Sequence, residues 1–262
     1  MSYHEVHMKI IKEDNLNHAI FKEYNNHTNI LEIFRFKAPE GYMIIRRSSK
    51  NFAIDIYGDS PIEVTSEIKE ILVPYIKGDL FMSLDKNQNN LKEYIEIQGM
   101  KYWFGQHDMV TTSMKEMTEG KIVPYNGELE RYIHIWGKSF APLREELGYK
   151  IPDNAANNPD FAKKVFEETN RDGAFYGYLV DGKIVGVAFA EDNAVDEISI
   201  DPEYQGKGYG RQLLRGIVNA LLLKFKEVTI GTQDINTKAY NLYTSEGFKV
   251  ISYQQKYKNF VV

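Results

Sequence analysis

Apolar residues recur along this chain in two rhythms, every second position in some stretches and every third or fourth in others, and the change of rhythm marks its elements. In the C-terminal half, Ala174–Val180 and Lys183–Glu191 read as two β-rich runs. Asp181-Gly182 joins them, a pair suited to the positive φ angles of a two-residue hairpin turn. A third run, Val195–Ile200, stops at Asp201-Pro202, since proline offers no ladder donor. Gln205-Gly206-Lys207-Gly208-Tyr209-Gly210-Arg211 comes next and opens a helix whose apolar stripe is Leu213, Leu214, Ile217, Val218, Leu221 and Leu222. Val228–Gln233 reads as a further strand, and Lys238–Ser245 as a helix that Asn236 can cap.

Upstream, Tyr102–Thr112 and Ile122–Tyr125 read as strands and Glu128–Leu147 as a long helix, with a connector at Thr118–Lys121. The chain beyond this connector has the length of one ordinary domain, which divides the protein into 1–118 and 119–262. A shift of about 148 residues lays a faint copy of the second half on the first. Leu91, Tyr94 and Gly99-Met100-Lys101 then fall on Ala239, Leu242 and Gly247-Phe248-Lys249, and Phe81–Leu84 falls near Val228–Gln233. Ile95 stands at the place of Tyr243, and Tyr57-Gly58-Asp59-Ser60-Pro61-Ile62 at the place of Gln205–Gly210, without the glycines. An unrelated α/β accessory domain is the competing reading. Either would pack on the second half and wall an acceptor pocket.

Composition narrows the function classes. With 262 residues and 43% apolar content the chain can bury one large core or two ordinary ones. It holds no run of some twenty apolar residues, and Met1–Asn15 mixes charges with apolar positions. A cytoplasmic protein that does not span a membrane is expected. Cysteine is absent, which excludes disulfides, thiolate nucleophiles and cysteine metal sites. His107 and His134 stand alone, so no metal is expected. The net charge of −5 is spread without a basic stripe, which argues against a nucleic-acid partner and mildly favours a cationic substrate. A homodimer is left open.

The glycine segment carries the candidate chemistry. A helix N-terminus exposes unpaired N–H groups and the positive end of its dipole, and glycine lets an anion approach without Cβ interference. A merely tight strand-to-helix turn is the competing reading. A Walker loop needs Lys-Ser/Thr after its last glycine, whereas Lys207 precedes Gly208, and the Gly-x-Gly-x-Gly spacing departs from the dinucleotide fingerprint.

Gln205-x-x-Gly208-x-Gly210 resembles the Gln/Arg-x-x-Gly-x-Gly/Ala motif of the GNAT superfamily of acyl-CoA N-acyltransferases. Asn236, Ala239, Tyr243 and Gly247-Phe248 resemble that family's closing motif, and the likeness runs over about residues 121–257. It implies an α/β fold of the α+β kind, a mixed and mostly antiparallel sheet flanked by helices, with two such domains in tandem and the first degenerate. It also implies acetyl-CoA as co-substrate and a primary amine of a small molecule or peptide as acceptor. Backbone groups along Ile198-Ser199-Ile200 would pair with pantetheine like an added strand, because the family's fourth and fifth strands splay. Amides from Gly206 through Lys207, Gly208, Tyr209, Gly210 and Arg211, opened by Gln205, would hold the diphosphate. Asn236 would touch the pantetheine arm, and Tyr243 would stand near the thioester sulfur.

Thioester aminolysis needs an unprotonated amine, a donor for the developing oxyanion and a proton for the departing thiolate. A strand amide near Ile198–Ile200 serves the second need. Tyr243 serves the third, although core packing competes as the reading of one tyrosine among 18. Some relatives place a basic glutamate where this chain has Gly231, so that role does not carry over. Glu197 is the candidate base, with Asp196 and Glu191 as substitutes; a solvated surface carboxylate and proton loss through ordered water compete with it. A catalytically silent acyl-CoA sensor and a misassigned nucleotide-binding protein are the other function classes. The acceptor would be read by loops between Glu128 and Asn170 and by the first half.

Overall fold

The computed structural model describes residues 30–37, 40–48, 51–58, 60–125, 127–150 and 175–260, together with 160, 163, 166 and 167. Met1–Asn15 and most of residues 151–174, part of the stretch expected to read the acceptor, lie outside the described residues. The chain divides into two compact units, Met1–Gly105 with Tyr253–Phe260, and Gln106–Ser252 with Val261–Val262.

In the first unit β1 (Ile30–Lys37), β2 (Glu40–Ser48) and β3 (Asn51–Gly58) form an antiparallel meander. β4 (Leu80–Asp85) lies parallel to β3, which demands a crossover, and α1 (Ser66–Ile76) supplies it. After α2 (Asn89–Ile97), the end of β11 (Lys249–Lys258) pairs antiparallel with β4. Ile68, Leu72, Leu91 and Ile95 of the helices bury one face of Ile54, Ile56, Met82 and Leu84.

The second unit repeats that plan. Its elements are β5 (Lys101–Thr111) from Gln106 onward, β6 (Lys121–Pro124), α3 (Leu129–Glu146), β7 (Phe175–Val180), β8 (Lys183–Glu191), β9 (Ala194–Ile200), α4 (Tyr209–Leu222), β10 (Val228–Gln233) and α5 (Thr237–Ser245). The strand order is β5-β10-β9-β8-β7-β6. β9 and β10 run parallel, and the other pairs described run antiparallel. Asp181 and Gly182 take φ of 47° and 77°, the hairpin turn that their sequence predicts. Leu213, Leu214, Ile217, Val218 and Leu221 are buried against this sheet, and Leu222 is half-buried at the edge of the stripe. On the opposite face α3 lays Tyr132, Ile135 and Trp136 against Phe175 and Val187.

The internal repeat is real in the fold, with one correction of register. β4, α2 and β5 begin 148 residues before β10, α5 and β11, but β2 and β3 begin only 143 before β8 and β9. Tyr57 and Gly58 therefore end β3, and the segment that enters α1 as Gln205–Gly210 enters α4 is Ile62-Glu63-Val64-Thr65-Ser66-Glu67. Both repeats end their last helix alike. Gly99 and Gly247 have φ of 93°, and the next amides, of Met100 and Phe248, donate to Ile95 O (3.1 Å) and Tyr243 O (3.0 Å).

Candidate active site

β9 pairs with β8 from Ile200 to Glu197, opposite Gly186 to Phe189, and then slips so that Ala190 faces Val195. Asp196 is the extra residue of this bulge. One inserted residue reverses the facing of the strand on either side of it, so Val195 joins the core beneath α4 while Glu197 turns toward α3. On its other edge β9 pairs with β10 at Ala194 and Val195 and no further. Asp201 N–H donates to Val185 O (3.0 Å), so ladder alternation turns the backbone of Ser199 toward β8 and those of Ile198 and Ile200 toward the open edge. There the Ile200 carbonyl accepts from Ser139 Oγ (2.7 Å) and Gln205 Nε2 (3.0 Å). The side chain of Gln205 thus braces the loop to the strand.

The loop meets this edge. Gly206 and Gly208 take φ of 77° and 85°, Gly208 caps α4 without a side chain, and a Cβ on either glycine would meet nothing within 4 Å. Among the described residues the N–H groups of Gly206, Lys207, Gly208, Tyr209 and Gly210 have no acceptor within the protein, whereas Arg211 N–H donates to Gly208 O (3.0 Å). A row of free amides at the positive end of a helix, with open space before it, fits a diphosphate. The side chains beside it are engaged elsewhere. Lys207 Nζ lies 4.9 Å over the Tyr204 ring, and Arg211 binds Ser245 Oγ (3.1 Å) and the buried Glu246, which Arg215 also grips at 2.7 Å. Asp201, buried and paired with Arg131 (2.6 Å), fixes the start of the loop.

The first unit closes the equivalent place. β3 and β4 stay paired over five positions, Phe52 to Ile56. Thr65 caps α1 and its hydroxyl takes the Ile68 N–H (3.3 Å). Gln88, at the place of Asn236, accepts from Ile62 N–H (2.8 Å) and donates to Ser60 O (3.0 Å), and Asp85 takes the Gly58 N–H (3.1 Å). The amides these side chains take, of Gly58, Ile62 and Ile68, correspond to those of Asp201, Gln205 and Arg211, which the second unit satisfies with the backbone oxygens of Val185 (3.0 Å), Pro202 (3.3 Å) and Gly208 (3.0 Å).

Asn236 caps α5, its Oδ1 accepting from Ala239 N–H (3.2 Å). Tyr243 is the buried residue of that helix, and burial pushes its hydroxyl well above the ordinary phenol pKa. Glu197 is half-buried, whereas Asp196 and Glu191 are exposed. Desolvation raises Glu197 to a pKa of about 7, against the opposing pull of the Trp136 indole, the Arg144 guanidinium and the Tyr132 hydroxyl; Asp196 adds to the rise. Tyr132 Oη donates to Glu197 Oε2 at 3.4 Å, while the Trp136 N–H faces the carboxylate without closing a bond of ordinary geometry. Arg144 lies 4.7 Å over the Trp136 ring. Sequence reasoning did not single out these three α3 residues. Their spacing, 132, 136 and 144, is the signal, a ridge of every fourth residue on one helix face.

A Cβ on Gly231 would meet the tip of a flexible side chain, Gln106 Nε2 at 2.5 Å, which would have to turn aside for a longer residue there. His134 is exposed and His107 packs 4.9 Å from the Tyr240 ring. Among the described residues no group of three or more His, Asp or Glu could hold a metal, and no helix is long and apolar enough to cross a membrane.

The Acetyltransferase (GNAT) domain family matches residues 171–250. Residues 171–250 are a GNAT domain. The chain is 35% identical over 82 residues to N-acetylaspartate synthetase of Xenopus tropicalis, a match over 29% of this chain and 30% of that protein. The chain thus spans under a third of that relative's length. A GCN5-related N-acetyltransferase from Sphaerobacter thermophilus superposes with a TM-score of 0.59 at 11% identity, over 92% of this chain and 84% of that one. A tandem GNAT protein from the clavulanic acid biosynthesis pathway gives a TM-score of 0.50 at 10% identity, over 85% and 80%. These likenesses extend beyond the GNAT domain, so the N-terminal half is GNAT-like in fold as well. Acyl transfer is the activity that the GNAT family supports.

Proposed function

We propose that the chain is an N-acetyltransferase that moves an acetyl group from acetyl-CoA to a primary amine of a small molecule or peptide. The unit that holds the glycine loop is its catalytic domain and the other an accessory one. The observation that carries this reading is the row of free amides from Gly206 to Gly210 beside the unpaired edge of β9. The amides hold the diphosphate, and Ile198 with the N–H of Ile200 pairs with the pantetheine arm, which Asn236 flanks. The carbonyl of Ile200, already shared by Ser139 and Gln205, serves the loop instead.

Glu197 accepts the proton of the attacking amine, a task suited to a carboxylate whose pKa burial has brought to about 7. A strand amide near Ile198 receives the developing negative charge of the carbonyl oxygen. Tyr243 gives a proton to the leaving sulfur. Because burial strengthens its hold on that proton, transfer occurs late, once charge has built on the thiolate. The enzyme works in the cytoplasm, without a metal and without a nucleic-acid or membrane partner, and a homodimer is compatible with it. Thermal-shift titration with acetyl-CoA, CoA, NAD and ATP, followed by thiol release against an amine panel, tests the reading. Stabilisation by acetyl-CoA with amine-dependent thiol release is expected. Stabilisation by ATP alone would sink it, and binding without release from any amine would leave a sensor.

A further inference from the structure

We propose that Tyr132 and Trp136 are positioning residues for Glu197, two donors one helical turn apart that hold its carboxylate toward the acceptor side of β9. This deepens the proposed function and rests on Glu197 acting as the base. The bulge at Asp196 turns Glu197 onto the α3 face, where its neighbours are aromatic. Tyr132 and Trp136 are buried and lie with planes 10° apart and centroids 5.9 Å apart. Tyr132 is further wedged edge-on against Phe175 at 4.8 Å. This packing fixes two polar tips, the Tyr132 hydroxyl, which donates to Glu197 Oε2 at 3.4 Å, and the buried Trp136 N–H.

An indole N–H can only donate, and within the protein this one is left without a bonded acceptor. The carboxylate it faces is Glu197. Tyr132 keeps its proton, because burial and the nearby Glu197 charge raise its own pKa far beyond the working range, and its hydroxyl turns that proton toward Glu197 Oε2. The two groups therefore favour the ionised carboxylate and cannot take its proton, which must leave by way of solvent or substrate. The charged groups around Glu197 are Arg144 on the same face of α3 and Asp196 on its own strand; β8 contributes the apolar Phe189 opposite.

Tyr132→Phe keeps the ring stack and removes one donor. Proton binding at Glu197 should tighten about three- to tenfold, moving its titration up by about half to one pH unit. Trp136→Phe should move it in the same direction. The first measurement is the carboxyl carbon shift of Glu197 against pH in the full-length protein, assigned with Glu197→Gln, which requires no turnover. A titration that stays in place in both variants overturns the positioning role, whatever happens to melting temperature. The second is the acidic limb of kcat/KM for an amine acceptor that the enzyme acetylates. A limb that follows the titration supports both readings; a shifted titration with an unmoved limb keeps the positioning role and discards Glu197 as the base.

Discussion

Replacing Gly208 by alanine separates folding from cofactor binding, because the residue's backbone and its surroundings make opposite demands. At φ of 85° an L-residue costs about 1–2 kcal/mol relative to glycine, and no clash is added, since the new Cβ would meet no protein atom within 4 Å. Against an ordinary domain stability of about 5–15 kcal/mol the variant stays folded. The methyl group nevertheless stands at the row of free amides, in the space assigned to the diphosphate. Losing two charge-assisted bonds at about 1.5–3 kcal/mol each removes about 3–6 kcal/mol of binding, roughly a 10²- to 10⁴-fold rise in Kd. Gly208→Val adds a β-branched side chain in a left-handed conformation and should abolish binding. Calorimetric titration with acetyl-CoA, beside a thermal melt of each variant, measures both effects. A folded Gly208→Ala protein that binds acetyl-CoA with unchanged affinity would refute the assignment of this loop.

The site makes three further outcomes testable. The chain should bind one acetyl-CoA, because β3 and β4 stay paired over five positions and leave no open edge, and Ile62–Glu67 lacks the glycines of the loop; calorimetry returning two sites of similar affinity would contradict this. Tyr243→Phe keeps the buried ring and should lower kcat about tenfold or more without changing acetyl-CoA affinity, and an unchanged kcat would discard its role as acid. Since Glu197 is raised to about 7, its carboxylate form exists above that pH, so kcat/KM should fall as pH drops below about 7. The same shift means that the folded state holds this proton more tightly than the unfolded chain, so the contribution of Glu197 to stability declines as pH rises from about 4.5 to 7. Glu197→Gln should abolish that decline together with the acidic limb, and persistence of either identifies another group.

What the sequence alone determined is local. Hairpin turn, glycine loop, capping Asn236 and the stripe of α4 are each specified by residues within a few positions of one another, and the structure forms them where the pattern puts them. The repeat was also legible at the matching ends of α2 and α5, where a left-handed glycine leaves a sequence mark. Its register before α1 was not, because the five-residue difference lies in a crossover whose length no periodicity constrains.

Only tertiary structure decided which carboxylate turns inward. The chain offers Glu197 first, beside Ile198, with Asp196 and Glu191 as substitutes, and the bulged residue that turns Glu197 toward α3 is visible only as a slip against β8. Likewise Tyr132 and Trp136 lie far from Glu197 in sequence, and their meeting depends on how α3 crosses the sheet. Periodicity reports which face of an element is buried; it carries no information about which distant element covers that face, and the proton affinity of Glu197 is set by what covers it.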